Sequence, residues 1–161
     1  GELFGAAYSE WNDPLVAVGG SDSVFRTGAL HILGKIMVWV GGQKLQRNGF
    51  TEDPDGRTIR LASPAGGRPV SAAYLKPGTS EYLGWIPNEP PQTGEAPDGT
   101  RMEFHALHPV ASIDNLMFCV DGLPLESGQV SLPDGPGTTR MLLTFAPDTD
   151  EVLDWTYITN P

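Results

Sequence analysis

Three histidines, one cysteine and 20 carboxylates are the residues of this chain with chemistry to offer. His105 and His108 stand three positions apart, which on an extended strand turns them to opposite faces, so a shared metal would need a bulge at Pro109. Neither a third nor a fourth ligand has the spacing of a structural zinc site. The single cysteine, Cys119, excludes four-cysteine zinc sites and any intrachain disulfide. It lies within the apolar run Leu116 to Val120, where an inert thiol packs as a small hydrophobe. Asp148, Asp150 and Glu151 crowd one turn, and Asp53-Pro54-Asp55-Gly56 makes another. Such oxygens suit calcium, but neither spacing follows the twelve-residue calcium loop, and solvated acidic turns account for both. A glycosidase needs two carboxyl groups ~5–9 Å apart, and the sequence singles out no pair. There is no Gly-x-Ser-x-Gly elbow. Gly19-Gly20, Gly41-Gly42 and Gly66-Gly67 open no helix, so they read as turns rather than phosphate cradles. The expectation is a binding protein, not an enzyme, with no catalytic residue, no metal and no cofactor.

The elements that would position these residues come in two sets. Ala29-Leu30-His31, then Met37-Val38-Trp39-Val40-Gly41-Gly42 and Leu45, return as Ala106-Leu107-His108, then Leu116-Met117-Phe118-Cys119-Val120-Asp121-Gly122 and Leu125. Val40 and Val120 are 80 positions apart, as are Gly42 and Gly122. Pro54-Asp55-Gly56 answers Pro133-Asp134-Gly135, Ile59-Arg60-Leu61 answers Met141-Leu142-Leu143, and Tyr74 answers Tyr157. Self-similarity of this kind marks a duplicated supersecondary unit. On this alignment His31 and His108 are equivalent and structural.

Apolar runs and turns assign the units to strands. Ile36 to Val40 and Leu116 to Val120 are uninterrupted apolar segments, each followed by a two-residue hairpin signal, Gly41-Gly42 or Asp121-Gly122. Arg57 to Leu61, Val70 to Leu75, Thr100 to Phe104, Arg140 to Phe145 and Val152 to Ile158 supply further strands. Leu153, Trp155 and Tyr157 share one face of the last, and Trp39 and Trp155 are expected in the core. No stretch has convincing helical spacing. The fold expected is all-β: two tandem small antiparallel β-sandwich modules related by internal duplication. Residues 1–22 form an N-terminal arm, 23–78 the first module, 79–96 a Pro-rich connector in which Tyr82 to Ile86 could add a short strand, and 97–161 the second module.

Composition narrows the partners. Ten basic against 20 acidic residues give a net charge of −10, which repels nucleic acid and anionic membranes and keeps a concentrated protein soluble. No apolar run approaches the ~20 residues of a membrane span, and residues 1–20 lack the basic head and apolar core of a signal peptide. A soluble protein made in a cytoplasm is expected.

Pro97-Asp98-Gly99-Thr100-Arg101-Met102-Glu103-Phe104, Leu107-His108-Pro109-Val110 and Leu116 to Gly122 together resemble a repeat of tailed-bacteriophage virion proteins. That repeat runs from a Pro-x-Gly turn through a Phe-x-Leu strand, a Val-x-Val-Asn-Gly hairpin and a Thr-Ile-x-Leu strand to a closing strand ending in Tyr. The second copy matches at Phe104, Pro109, Val120-Asp121-Gly122 and Tyr157, and the first at Phe25, Val38 to Gly42, Thr58 to Leu61, Pro64 and Tyr74. Gly41 and Asp121 replace the usual Asn, and Pro136-Gly137 is inserted in the second copy. The resemblance implies a β-sandwich with a binding role in a virion assembled in the host cytoplasm. The implied role is a capsid decoration or cement protein that binds the major capsid protein or other virion subunits in many copies or as a homo-oligomer. Two alternatives are a tail adaptor, fibre or baseplate component and a carbohydrate-binding accessory module. Phe4, Tyr8, Trp11, Tyr82 and Trp85 fall outside the duplicated segments, so they are the expected partner-binding anchors.

Overall fold

The computed structural model describes residues 10–77 and 84–159, with the backbone alone for Glu10 and Trp11. The chain divides into two compact units, Gly1–Leu83 and Gly84–Pro161, and both are all-β.

The first unit holds β1 (Glu10–Pro14), β2 (Val16–Ala17), β3 (Val24–Arg26), β4 (Ile36–Val40), β5 (Gln43–Lys44), β6 (Phe50–Glu52), β7 (Thr58–Leu61) and β8 (Val70–Tyr74). One sheet has the order β1-β8-β4-β5 and the other β2-β3-β7-β6, with antiparallel pairing throughout. The apolar, β-branched run of β4 suits a central strand. It turns at Gly41 and Gly42, whose φ values of 60° and 82° are the left-handed pair that a two-residue type I′ hairpin demands. Phe25, Ile36, Val38, Phe50, Ile59 and Tyr74, drawn from both sheets, enter one core. That is the two-layer arrangement of a small sandwich.

The second unit holds β9 (Trp85–Glu89), β10 (Glu103–Val110), β11 (Leu116–Val120), β12 (Leu123–Pro124), β13 (Val130–Ser131), β14 (Thr138–Leu143) and β15 (Leu153–Ile158). Its sheets run β12-β11-β15-β9 and β10-β14-β13. Its core is separate, with Phe118 and Trp155 stacked at 5.0 Å and Phe104 tilted against both.

Strand for strand, β9 stands where β1 does, β10 where β3 does, β11 where β4 does and β15 where β8 does. Among the described residues, only β2 has no counterpart. Registers agree too: Phe25 faces Ile59 as Phe104 faces Met141, and Ile36 faces Tyr74 as Leu116 faces Tyr157. A duplicated unit would have this strand plan.

Three expectations change. The arm does not extend to residue 22, because β1 and β2 are laddered into the two sheets of the first unit. The connector does not extend from 79 to 96, because β9 is a full strand paired with β15. Trp39 is not a core residue: it is half-buried on the face of β4 opposite Val38 and Val40. Alternation within an all-apolar strand leaves the sequence unable to say which face is the core.

Candidate functional site

Each unit carries one polar constellation built around a core tyrosine. In the first, Tyr74 Oη donates to Asp13 Oδ2 at 2.7 Å and accepts from the Ala29 N–H at 3.2 Å, while the Gly28 N–H donates to the same carboxylate oxygen at 2.8 Å. In the second, Tyr157 Oη donates to Glu89 Oε2 at 2.7 Å and accepts from the His108 N–H at 3.2 Å. Glu89 Oε1 takes the Leu107 N–H at 2.9 Å and the Trp155 indole N–H at 2.8 Å. Asp13 pairs across the ladder with Ala72, and Glu89 with Trp155, each two residues before its tyrosine. The two constellations thus occupy one position of the strand plan. They fasten β1 to β3 territory and β9 to β10, tying the first strand of each unit to both sheets.

Local sequence explains how the carboxylates reach that position. Asn12 and Asn88, at φ 62° and 53°, adopt the left-handed conformation that asparagine tolerates best. The ladder is irregular beside each of them, as a bulge would make it. Asp13 and Glu89 follow at once, and Pro14 and Pro90 come next. The tripeptides Asn12-Asp13-Pro14 and Asn88-Glu89-Pro90 are the sequence signal for these two residues, and they lie outside the segments expected to be duplicated.

The electrostatics differ between units. Asp13 is half-buried, whereas Glu89 is 5% exposed, so its charge rests on three donors rather than on water. Burial first, and then the hydrogen bond to Glu89, push the Tyr157 phenol far above its ordinary value. Both constellations act as fasteners.

Other charged residues are spent on turns. Asp55 accepts from the Thr58 hydroxyl at 2.6 Å and from the N–H groups of Arg57 and Thr58 at 2.8 Å each, which hold it down at about 2. Asp53 grips Arg60 with both oxygens, and Arg140 bridges Asp134 and Glu103. Glu151 accepts from the Asp148 N–H at 2.8 Å, closing its own turn. Among the described residues, no group of three or more His, Cys, Asp or Glu side chains is gathered as a metal site would require.

The histidines separate. His31 is buried, with Nε2 3.0 Å from Glu52 Oε1 and its ring 5.7 Å from that of Tyr74; His108 is exposed. They are not equivalent. The backbone donors to the two tyrosines are Ala29 and His108, which fixes the offset here at 79 rather than 77, the same as Phe25 to Phe104. His31 therefore corresponds to Val110, which is buried likewise. A slip of two residues keeps every side chain on its face, so the Ala-Leu-His motif aligned plausibly in the wrong register.

Of the expected partner anchors, Phe4, Tyr8 and Tyr82 lie outside the described residues, and Trp11 is placed only by its backbone in β1. Trp85 is a correction. It is 1% exposed, opens β9 and pairs with Ile158, so it is not available as a surface anchor. Cys119 has no solvent exposure. The exposed large apolar side chains are aliphatic, among them Leu30, Leu33, Leu107, Ile113 and Leu123, and no described aromatic joins them. A shallow cleft of about 450 Å³ is lined by Ser112, Ile113, Val130, Leu132 and Pro136. No helix among the described residues is long and apolar enough to cross a membrane. Neither a family model nor a curated protein matches the chain.

Proposed function

We propose that this chain is a structural protein of a tailed-bacteriophage virion: a capsid decoration or cement subunit that binds the head shell and stabilises it. One observation carries the proposal. Several residues that resemble the virion repeat occupy matching register positions in two units of the same strand plan. Phe25 and Phe104 face the neighbouring strand alike, Gly41-Gly42 and Asp121-Gly122 turn equivalent hairpins, and Tyr74 and Tyr157 hold equivalent fasteners. These residues specify a rigid brick, and the polar groups described are consumed in holding it together. What remains for function is surface: exposed aliphatic residues and a net charge of −10, which favours a basic partner face and speeds encounter with it.

The test is reconstitution on expanded shells that lack the protein, at physiological salt, with bound copies counted. Hundreds of copies per particle support the proposal; no binding overturns it. A few copies at the tail would make the chain an adaptor, fibre or baseplate part instead. The carbohydrate-binding alternative calls for a planar row of exposed aromatic rings, and the exposed apolar residues are all aliphatic among the described side chains.

A further inference from the structure

Among the described residues, the outer edge of β10 has no strand beside it. In the first unit the matching edge of β3 is covered by β2, with Val16 opposite Arg26 and Ala17 opposite Phe25 in antiparallel pairing. In the second unit β10 pairs with β14 on one side and ends the sheet on the other. Backbone groups in the middle of that edge are nevertheless taken. The His105 N–H donates to Glu95 Oε1 at 2.8 Å, and the Leu107 N–H to Glu89 Oε1 at 2.9 Å. Gln92 Nε2 donates to the carbonyls of His105 at 2.9 Å and Ala106 at 3.2 Å. Glu95 is held a second time, its Oε2 lying 2.6 Å from His105 Nδ1. All three side chains come from the short segment 89–95, whose Pro90 and Pro91 have no N–H to give to a ladder. Side chains here occupy the hydrogen-bonding places of a strand.

We propose that Gln92 and Glu95, with Glu89, form a surrogate strand that keeps the edge of β10 closed against β10 of a second copy of this chain. An edge with free N–H and C=O groups is a template for another strand. A two-fold axis between copies pairs like with like, and one strand related to itself by such an axis runs antiparallel. The edge of β3 has room for an antiparallel strand, so the same edge on β10 has the geometry to accept one. Leu107, 62% exposed on that strand, would gain apolar cover from the pairing. The guard is independent of any virion role.

The test is the full-length double variant Gln92→Ala/Glu95→Ala in sedimentation equilibrium over a concentration series. Its mass is expected to climb from the wild-type value to twice that value, and adding Leu107→Lys, an edge charge that opposes itself across the two-fold, is expected to return it. A folded double variant with wild-type mass at every concentration overturns the proposal, as does association that survives Leu107→Lys. Should the double variant fail to fold, amide exchange in the wild-type chain decides. Protection of His105 and Leu107 close to that of Leu143, which donates into the ladder at Met102, sustains the guard. Exchange at open-edge rates overturns it.

Discussion

Replacing Tyr157 by Phe removes one hydroxyl and leaves the ring in place, so its cost isolates the fastener. Glu89 then loses the donor at 2.7 Å on Oε2 and keeps those from Leu107 and Trp155 on Oε1. A hydrogen bond to a charged group contributes about 1.5–3 kcal/mol. At a carboxylate 5% exposed little water can stand in, so the upper part of that range, about 2–3 kcal/mol, is expected. The His108 N–H also loses its acceptor, as the Ala29 N–H does in Tyr74→Phe. Tyr74→Phe is the internal control. Asp13 is half-buried and keeps the Gly28 N–H, so the loss there falls to about 0.5–1.5 kcal/mol. For units of this size, the changes correspond to roughly 10–20 °C for Tyr157→Phe and roughly 2–10 °C for Tyr74→Phe. Urea unfolding, followed by amide exchange in the buried strands of each unit, separates the two. A double-mutant cycle of Tyr157→Phe with Glu89→Gln should show coupling of about 1–3 kcal/mol. Equal losses in the two units, or coupling below about 0.5 kcal/mol, would refute the claim that burial sets the strength of the fastener.

Three further outcomes are expected. Because the folded Tyr157 phenol sits above its unfolded value of 10.0, the folded state retains a proton that the unfolded chain releases. Its contribution is full below pH 10 and is lost as pH rises beyond it, so the stability gap between wild type and Tyr157→Phe should narrow in alkali; a gap that widens there contradicts the assignment. Asp55 contributes above its unfolded value of 3.8, and that contribution is lost as pH falls toward about 2; Thr58→Val should move the Asp55 carboxyl up toward 3.8 in a carbon-13 NMR titration, and an unmoved midpoint would show the hydroxyl to be irrelevant. Gly84→Ala would place a Cβ 2.6 Å from the Thr159 carbonyl oxygen, which forces β9 away from β15; a loss of roughly 1–3 kcal/mol with faster exchange at the Thr159 amide is expected, and unchanged exchange there argues against the contact.

Some of the fold was legible because it is local. The apolar runs Ile36–Val40 and Leu116–Val120 appear as β4 and β11 with the same bounds, and their two-residue turns need only the left-handed tolerance of Gly41-Gly42 and Asp121-Gly122. The order of turns and strands along the chain follows from the same short-range rules. The misplacements were non-local. β1, β2 and β9 carry weak patterns and become strands because a neighbouring edge completes their ladders, which propensity cannot report. The two-residue slip at His31 and His108 escaped notice because strand periodicity is two.

From residue order alone came an acidic all-β chain with a repeated hairpin, since composition, apolar runs and turn chemistry act within a few residues of one another. Tertiary structure decided which of the 20 acids matter. Asp13 and Glu89 acquire a role only where a bulge aims them at tyrosines 61 and 68 residues away. Gln92 and Glu95 gain theirs only where a sheet edge would otherwise lie open. Desolvation and hydrogen-bond partnership depend on what folding brings alongside, and sequence neighbours carry no record of it.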